Sequence, residues 1–458
     1  MRLALILLLL MAGLPVAAEM EVPQSRADIR TGFVPVVKRA APAVVNIYAR
    51  RVVDVRSPFS ADPFFQGLFR DFGTPRQRVQ NSLGSGVILG ADGIVVSNYH
   101  VVGDATDIRV ALNDRREFSA RVLLADEESD LAILQLEDAH DMPALELRDS
   151  DSVEVGELVL AIGNPFGVGQ TVSSGIVSGL ARSGTATGNL RGYFIQTDAP
   201  INPGNSGGAL VDMGGRLIGI NTAILSRSGG SNGIGFAIPS ALVAQFVEQA
   251  RAGHETFRRP WAGIDGQPVT ADMAEGLGLD RPGGVVITQL HPQSAFLAAG
   301  LRPGDVITAV DGHAVNTPAE MIYRMSVAGI GARARITGIR QGRERTVDVA
   351  LIAAPEEPPR DARVTGRGAA IPGMRLATVN PAVIGEYDLP LTARGVVVED
   401  PGEVGLRAGL RAGDLLLAIN GAAVDDTGEA LELLRAARRR LSLEVQRGGR
   451  RVTMRFRL

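Results

Sequence analysis

The chain has 458 residues, which is too long for a single hydrophobic core, so we expect two to four domains. Apolar residues make up 45% and charged residues 21%, the usual balance of a globular protein. A formal net charge of −3 and 4% aromatic residues give no indication of a nucleic-acid-binding surface. Cysteine is absent, which excludes disulfides, thiol nucleophiles and thiolate metal sites.

The first residues predict a secretory signal peptide. Met1–Arg2 supplies a positive start, the apolar run LALILLLLMAGLPVAA follows, and small residues end at Ala18. A membrane anchor is the alternative, but Gly13 and Pro15 interrupt a run that falls short of the ~20 apolar residues a span needs. We therefore expect cleavage after Ala18 and an exported protein.

Residues 33–50 predict a short helix, a break at Pro42 and a strand. Residues 51–80 then lose periodicity, although the stretch 58–72 is rich in phenylalanine. A polar loop with so many rings either packs on its own domain or contacts another subunit or substrate, and the pattern does not decide between them.

Residues 82–238 have an all-β pattern. Short apolar or alternating runs such as GSGVILG, LAILQL and LVLAIG recur between Gly, Asn and Asp turns, which favours a sandwich or barrel over parallel βαβ units. The segment PSALVAQFVEQARAG at 239–253 predicts an amphipathic helix that closes this domain.

The last 200 or so residues contain a repeat. AGLRPGDVITAVDGHAV (299–315) and AGLRAGDLLLAINGAAV (408–424) match at 10 of 17 positions, each with an Asp-Gly or Asn-Gly hairpin turn. The proline-rich, charged segment 355–367 reads as a linker. We therefore expect a signal peptide (1–18), a β domain (19–257), two similar domains (258–354 and 368–458) and the linker between them.

The stretch Gln196–Leu210, QTDAPINPGNSGGAL, is typical of a nucleophile loop. Ser206 stands between Gly204 and Gly207–Gly208, and so many Gly and Pro residues would weaken a buried strand. A serine nucleophile needs an exposed hydroxyl and N–H donors aimed at the developing oxyanion, which the amides of Gly204 and Ser206 can supply. The alternative is an ordinary surface turn.

Serine needs a base, and histidine is the natural one because its pKa lies near neutral pH. The five histidines are His100, His140, His254, His291 and His313. Two of them lie in the repeats, one follows the domain-closing helix, and one lies in the polar loop DAHDMP. His100 ends the strand GIVVSN inside the β domain, so context and elimination favour it, although a single histidine there is equally often structural.

The third group, a carboxylate, is harder to assign. Asp130 opens the apolar strand LAILQL after a polar turn, where burial is costly unless a donor such as an imidazole N–H is near. Asp104, Asp126 and Asp198 are competitors. The order histidine, aspartate, serine within one β domain is that of the chymotrypsin-type triad, which favours the assignment. The histidines show no metal-ligand spacing, so we expect no metal and no cofactor.

The chain resembles the HtrA (DegP/DegQ, Do-like) family of bacterial periplasmic serine proteases. Five stretches carry the resemblance in order: SNYHVV, ESDLAIL, IGNPFGVGQTVSSGIVSG, QTDAPINPGNSGGAL and NGIGFAIP. The family implies a mainly β protein, with a trypsin-like double β-barrel at 19–257 and PDZ domains at 258–354 and 368–458. It also implies that His100 is the base, Asp130 orients it and Ser206 attacks.

The same resemblance implies further site residues. The amides of Gly204, Asn205 and Ser206 would form the oxyanion hole, and a loop around 182–192 would sense activation. No acid lies close before Ser206, so Ile201, with Ile224 or Leu225, would line a pocket for small aliphatic residues.

Each PDZ-like repeat should bind a chain terminus by strand addition. In the first repeat the binding loop is Trp261-Ala262-Gly263-Ile264, in which Ala262 departs from the family's aromatic or leucine, and 373–376 is its weaker counterpart.

The resemblance implies an ATP-independent endopeptidase that degrades unfolded exported proteins in the periplasm, as part of protein quality control and the stress response. It further implies a homotrimer, with larger cages around substrates, and accompanying chaperone activity. The rival interpretation is a PDZ-based chaperone or scaffold in which the serine site is idle.

Overall fold

The computed structural model describes residues 32–55, 76–164, 169–183, 193–202, 204–224 and 233–457. The expected signal peptide, the phenylalanine-rich stretch 58–72 and nearly all of the loop 182–192 lie outside these residues. Within the described ranges, no helix has the length and apolar character needed to cross a bilayer.

Six strands close the first barrel, in the order β1-β2-β3-β6-β5-β4. The strands are β1 Val44–Val55, β2 Arg76–Ile88, β3 Ile94–Ser97, β4 Asp107–Ala111, β5 Glu117–Asp126 and β6 Leu131–Leu136. Strand β1 pairs with both β2 and β4, so no edge is left open. The apolar runs noted in the sequence, including IVVS and LAILQL, are the buried interior.

Six more strands close a second barrel, in the order β10-β11-β12-β9-β8-β7. They are β7 Leu158–Gly163, β8 Thr171–Ser183, β9 Tyr193–Thr197, β10 Ala209–Asp212, β11 Leu217–Ile224 and β12 Gly235–Pro239. Its interior is a separate apolar cluster around Ile195, Leu210 and Ile218. Two closed barrels confirm the predicted barrel architecture.

Among the described residues, three α-helices accompany the barrels: α1 Val34–Ala40, α2 Tyr99–Val102 and α3 Ser240–Arg251. Helix α3 follows Pro239 and buries Leu242, Val243 and Phe246 against the core shared by both barrels. Gly253 ends the segment with φ of 85°, a conformation that glycine adopts without strain. This is the amphipathic helix predicted for 239–253.

The first repeat forms a sheet in the order β13-β14-β15-β17-β18, with β16 paired to β15. Its strands are β13 Ile264–Pro268, β14 Val285–Leu290, β15 Val306–Val310, β16 His313–Ala314, β17 Arg333–Arg340 and β18 Arg343–Ala350. Its helices are α4 Ala271–Gly276, α5 Ala295–Ala298 and α6 Pro318–Ala328. Strand β13 pairs with β14 alone, so its outer side is an open edge in the described chain.

The second repeat has the same sheet with one addition, in the order β19-β20-β21-β22-β24-β25 and with β23 on β22. Its strands are β19 Arg363–Val364, β20 Arg375–Thr378, β21 Val396–Asp400, β22 Leu415–Ile419, β23 Ala422–Ala423, β24 Arg440–Arg447 and β25 Arg450–Arg457. Its helices are α7 Pro381–Glu386, α8 Gly402–Arg407 and α9 Thr427–Ala436. The extra strand β19 comes from the linker and covers the edge of β20.

The repeated Gly-Asp pair has the same structural role in both copies. Asp305 and Asp414 are buried, and each accepts hydrogen bonds from one arginine of the sheet, Arg340 Nε at 2.5 Å and Arg447 Nε at 2.6 Å. A buried carboxylate needs such a partner, which explains why the Asp recurs with the repeat.

Helix α6 attaches the first repeat to the barrels. The rings of Tyr193 in β9 and Tyr323 in α6 stack with centroids 3.8 Å apart. The neighbouring Arg324 donates to Asp151 Oδ1 at 2.5 Å and to the Tyr193 hydroxyl at 3.1 Å. Both a ring contact and an ion pair therefore fix this repeat against the second barrel.

Arg148 anchors the segment between the barrels. Its guanidinium donates to both carboxylate oxygens of Glu157, at 2.6 and 2.9 Å, and lies 3.4 Å from Asp212 Oδ2. The side chains of Arg148 and Glu157 are only 16% and 21% exposed. The hydrogen bonds from Arg148 hold the pKa of Glu157 below its ordinary value.

Replacing this carboxylate should lower stability in a pH-dependent way. Because the pKa of Glu157 is lowered on folding, its stabilisation is complete above the ordinary glutamate pKa of about 4.3 and is lost as the pH falls further. We expect Glu157→Gln to lower the free energy of unfolding by about 1–3 kcal/mol at pH 7 and by much less at pH 3. Urea unfolding at both pH values measures this.

The matched control is Glu154→Gln. Glu154 is exposed, and its carboxylate has no hydrogen-bond partner in the part of the chain that is described. An equal loss for both variants, or a Glu157→Gln loss that is the same at pH 3 and pH 7, would contradict the role of the Arg148 pair.

Candidate active site

The three residues chosen from the sequence lie near one another at the junction of the two barrels. His100 lies in α2, the single helical turn after β3. Asp130 immediately precedes β6, and Ser206 lies in the loop between β9 and β10. The expectation that His100 ends a strand is wrong, because β3 ends at Ser97 and the chain turns into a helix before His100.

The imidazole and the carboxylate are in direct contact. His100 Nδ1 lies 2.9 Å from both Oδ1 and Oδ2 of Asp130, and the His100 main-chain N–H donates to Oδ1 at 3.0 Å. The imidazole is half exposed and the carboxylate is 21% exposed. The contact directs Nδ1 at the carboxylate and leaves Nε2 on the solvent side, as a general base requires.

Asp130 is held from three sides. Its backbone has φ of 53°, in the left-handed region that Asp tolerates better than most residues. The buried Asn98 donates its Nδ2 to the Asp130 carbonyl oxygen at 2.8 Å. The Thr222 hydroxyl, from β11 of the second barrel, donates to Asp130 Oδ2 at 2.6 Å. The carboxylate of one barrel is therefore oriented by a hydroxyl of the other.

The glycines after Ser206 allow a close approach between the barrels. The Ser85 main-chain N–H of β2 donates to the Ser206 carbonyl oxygen at 2.9 Å, and the Ser85 hydroxyl donates to the Gly204 carbonyl oxygen at 2.7 Å. A Cβ on Gly207 would lie 2.1 Å from the Ser85 carbonyl oxygen, and its φ is 82°. Only glycine fits there.

The main-chain N–H groups of this loop differ in whether they have a hydrogen-bond acceptor. Within the described residues, the N–H groups of Gly204 and Ser206 have no hydrogen-bond acceptor. The Asn205 N–H instead donates to the Asn202 carbonyl oxygen at 3.0 Å, and the Asn205 side chain is buried. The Asn205 N–H thus closes its own turn in this arrangement, and the contribution of this amide to an oxyanion hole stays a prediction.

The hydroxyl of Ser206 donates to the Thr222 carbonyl oxygen at 3.2 Å. In the described chain it makes no hydrogen bond to His100 Nε2. Nucleophile–base contacts are frequently loose without substrate. Thr222 contacts the site twice, through its carbonyl oxygen and through its hydroxyl.

Sequence reasoning missed Asn98 and Thr222. Asn98 directly follows the buried strand IVVS, and Thr222 lies within the strand LIGINTAI. A buried amide or hydroxyl in such a run requires a partner, and that requirement was the available signal.

The expected pocket residues are only partly described. Ile201 is 1% exposed and packs against the second-barrel strand β12, since a Cβ on Gly235 would lie 2.8 Å from its Cδ1. The backbone of Ile224 pairs with Gly235, but its side chain and all of Leu225 lie outside the described residues.

The loop 261–264 leads into the open-edged strand β13. Gly263 is left-handed with φ of 60°, and a Cβ there would lie 2.6 Å from the Trp261 ring. The His291 N–H donates to the Gly263 carbonyl oxygen at 2.8 Å, and the Ser294 hydroxyl donates to that of Ala262. The Trp261 ring packs on the apolar cluster of the second repeat, while Ile264 packs into the core of the first.

No group of three or more His, Asp or Glu side chains that could hold a metal ion occurs in the described ranges.

Family models match all three folded regions. Residues 84–220 match the trypsin-like peptidase domain, residues 251–351 match a PDZ domain, and residues 395–447 match another PDZ domain. The predicted fold of a trypsin-like double barrel followed by two PDZ domains is therefore confirmed.

Curated relatives cover nearly the full length. The chain is 37% identical to the probable periplasmic serine protease do/HhoA-like of Haemophilus influenzae, with 92% of this chain and 90% of that protein covered. It is 37% identical to the periplasmic serine endoprotease DegP of Escherichia coli K12, covering 86% and 80%. It is 36% identical to the pH-dependent endoprotease DegQ of the same strain, covering 90% and 89%.

Solved structures agree. The HtrA-type protease AlgW with a decapeptide is 41% identical, with a TM-score of 0.53 over 70% of this chain and 99% of that one. The same protease with a tripeptide is 38% identical, with a TM-score of 0.54 over 71% and 99%.

If Asp130 orients the imidazole, Asp130→Asn should lower kcat for peptide hydrolysis by about 10⁴ while the fold is kept. The amide still fits beside the Thr222 hydroxyl, but it no longer accepts the Nδ1–H of His100 as a carboxylate does. Steady-state kinetics with a chromogenic peptide measures the loss. Asp104→Asn is the control, since Asp104 is another candidate from the sequence but pairs with Arg51 on the surface. An equal or larger loss in that variant would contradict the assignment.

Proposed function

Since the chain belongs to the HtrA-type (DegP/DegQ) family of periplasmic serine proteases, we propose that it cleaves unfolded exported proteins through His100, Asp130 and Ser206. That it is a serine endopeptidase follows from the family and from the trypsin-like peptidase domain. The observation that supports the residue assignment is the His100–Asp130 contact, with two hydrogen-bond distances of 2.9 Å, beside the Ser206 loop.

The chemistry follows from these groups. The Ser206 hydroxyl leaves the Thr222 carbonyl oxygen and approaches His100 Nε2, which takes its proton as Oγ attacks the scissile carbonyl. Asp130 stabilises the imidazolium through Nδ1. His100 then gives the proton to the leaving amine, and water attacks the acyl-enzyme by the same general-base route to release the second product.

The developing oxyanion needs preorganised donors. The amides of Gly204 and Ser206 are the candidates, since both lack an acceptor within the described chain. The left-handed φ of 97° at Gly204 is a conformation that a side chain would oppose. The Ser85 hydroxyl holds the Gly204 carbonyl oxygen and so fixes the loop.

We expect cleavage after small aliphatic residues such as Val, Ile or Ala. Ile201 is 1% exposed and belongs to the apolar cluster of the second barrel, so the surroundings of the loop on this side are apolar. Asp198, the acid closest before Ser206 in the described chain, accepts the Ile176 main-chain N–H at 2.7 Å and is thereby held at β8. A basic residue would have no counter-ion in such a pocket.

The two PDZ domains should differ in peptide binding. Strand addition requires an open edge, and β13 of the first domain has one beside the loop 261–264. In the second domain the linker strand β19 pairs with β20 in antiparallel register, Arg363 opposite Leu376 and Val364 opposite Arg375. The chain's own linker therefore occupies the edge that a ligand would use, and substrate C-termini should bind the first domain.

The remaining features are carried by the family. Its relatives are periplasmic, which agrees with export through a signal peptide cleaved after Ala18. We expect a homotrimer that forms larger cages around unfolded substrates, with accompanying chaperone activity. A PDZ-based scaffold with an idle serine site is less favoured, because such a protein has no need of a carboxylate-bound imidazole beside a glycine-rich serine loop.

The first test is casein digestion by wild type and Ser206→Ala. We expect the variant to lose nearly all turnover, keeping at most the 10³–10⁴-fold acceleration over water that binding and the oxyanion hole provide. Ser85→Ala is not a suitable control because it contacts the loop, so the comparison variant is the exposed Ser119→Ala in β5. Undiminished digestion by Ser206→Ala would remove the assignment.

The second test measures peptide binding by calorimetry on Ser206→Ala, which prevents cleavage. We expect one site per chain for a peptide with an apolar C-terminus, and about tenfold weaker binding of the amidated peptide. Gly263→Ala should weaken binding because the added Cβ meets the Trp261 ring and opposes the left-handed backbone.

Gly373→Ala is the matched control, since Gly373 is also left-handed and lies in the counterpart loop, but its Cβ position is open. Two sites per chain, or equal weakening by both substitutions, would contradict binding at the first domain alone.

A further inference from the structure

We propose that Arg259 is a positioning residue for catalysis, which clamps the acidic turn that presents Asp130 and ties that turn to the start of the first PDZ domain. The proposal rests on the proposed role of Asp130 in the triad. It concerns the turn Asp126–Ser129, between β5 and the catalytic carboxylate, and one arginine that lies more than a hundred residues further along the chain.

The turn is compact and strongly acidic. Its sequence from 126 is DEESD, so four carboxylates fall within five residues. The Asp126 side chain accepts the Ser129 main-chain N–H at 2.7 Å, and the Asp130 N–H donates to the Glu127 carbonyl oxygen at 3.2 Å. Asp130 then leaves the turn in the left-handed conformation. Both the mutual repulsion of the carboxylates and this backbone angle oppose the native shape, so the turn needs an external hold.

Arg259 supplies that hold with its whole guanidinium. Nη1 donates to Asp126 Oδ1 at 3.0 Å, and Nη2 donates to Asp126 Oδ2 at 2.5 Å and to Ser129 Oγ at 2.6 Å. Nη1 also lies 3.6 Å from Glu128 Oε2. One cation thus contacts the first, third and fourth residues of the turn, and Ser129 is the immediate neighbour of Asp130.

The clamp is shielded from water. The side chains of Arg259 and Asp126 are 21% and 13% exposed, and the guanidinium lies over the Phe257 ring with 5.1 Å to the centroid. A bidentate pair in such surroundings is far stronger than one on an open surface. The Arg259–Asp126 pair is therefore strong enough to fix the position of the turn.

Arg259 also stands where the first PDZ domain begins. Two residues on, the Trp261 N–H donates to the Ile352 carbonyl oxygen at 2.8 Å and ties this segment to the end of that domain's sheet. Ser129 and Arg259 line a small cavity of about 30 Å³ together with Tyr323 and Ser326 of α6. Arg259 therefore contacts the turn that precedes Asp130 and also lies beside helix α6 of the first PDZ domain.

The consequence for catalysis is specific. Loss of the clamp should let the turn shift, so that Asp130 holds the imidazole less well in the transition state, while the substrate pocket in the second barrel is unaltered. We expect Arg259→Ala to lower kcat about 10–100-fold with KM within twofold of wild type. Arg259→Lys keeps the charge but not the fork, so it should restore part of kcat.

The experiment uses the full chain and a fluorogenic peptide with Val before the scissile bond, with kcat and KM measured for wild type, Arg259→Ala, Arg259→Lys and Arg258→Ala. Arg258 is the matched control, because it is the adjacent arginine, is exposed, and bonds Gln249 only through its backbone. The amount of reactive serine is titrated with a fluorophosphonate, so that kcat refers to folded sites. The double variant Arg259→Lys with Ser129→Ala should lose little beyond Arg259→Lys alone, because both remove the same contact.

Three results would overturn the proposal: an unchanged kcat per titrated site in Arg259→Ala, an equal fall in Arg258→Ala, or a rise in KM that accounts for the whole effect. If Arg259→Ala does not fold, Arg259→Lys and Ser129→Ala decide in its place, and wild-type kcat in both counts against the clamp. A parallel measurement on Ser206→Ala separates the triad from the clamp. Activity that survives in Ser206→Ala refutes the triad. Loss of activity in Ser206→Ala together with wild-type kcat in the Arg259 variants refutes only the clamp.

Discussion

The contact between His100 Nδ1 and the Asp130 carboxylate sets the geometry of the candidate site. It is a demanding contact, because the two residues come from different connections of the first barrel and the carboxylate is only 21% exposed. Asn98 holds the Asp130 backbone and Thr222 holds one carboxylate oxygen. Removing any of these partners leaves the Asp130 carboxylate with fewer hydrogen-bond donors. Several polar groups are therefore needed to hold this one side chain.

Barrel closure explains how such a contact is kept. Each closed sheet fixes its own loops, and the barrels are then joined by short main-chain contacts such as the Ser85 N–H to the Ser206 carbonyl oxygen at 2.9 Å. The contact between the barrels leaves no room for a Cβ at Gly207, so this glycine is required for steric reasons as well as for the shape of the nucleophile loop. Thr222 contributes from the second barrel to a carboxylate of the first. The geometry of the site therefore depends on how the two barrels pack against each other.

Much of this was predictable from the sequence, because it depends on local pattern. The barrel strands follow from alternation, the domain-closing helix from apolar spacing, and the repeats from direct identity. The contact of His100 with Asp130 agrees with the expectation from residue chemistry and chain order, and the role of Ser206 beside them stays a prediction. What could not be predicted depends on register between distant segments: the Thr222 hydroxyl lies 92 positions from Asp130, and the Arg259 guanidinium 133 positions from Asp126. The use of the Asn205 amide within its own turn likewise depends on one peptide orientation, which composition does not encode.

The two PDZ domains show how little sequence identity decides about binding. Their repeated segments place equivalent strands, the same buried Asp–Arg pair and the same left-handed glycines. The difference comes from the connections. The segment before β13 arrives from the barrel domain through Arg259 and leaves the strand edge open, whereas the linker before β20 runs along that strand and pairs with it. The linker is fastened there, since the Thr427 hydroxyl of α9 donates to the Asp361 carbonyl oxygen at 3.0 Å and the Thr378 N–H donates to that of Arg360 at 2.7 Å. A strand edge that is already hydrogen-bonded offers a ligand fewer unpaired backbone groups, so we expect that duplication of the domain does not by itself duplicate the site.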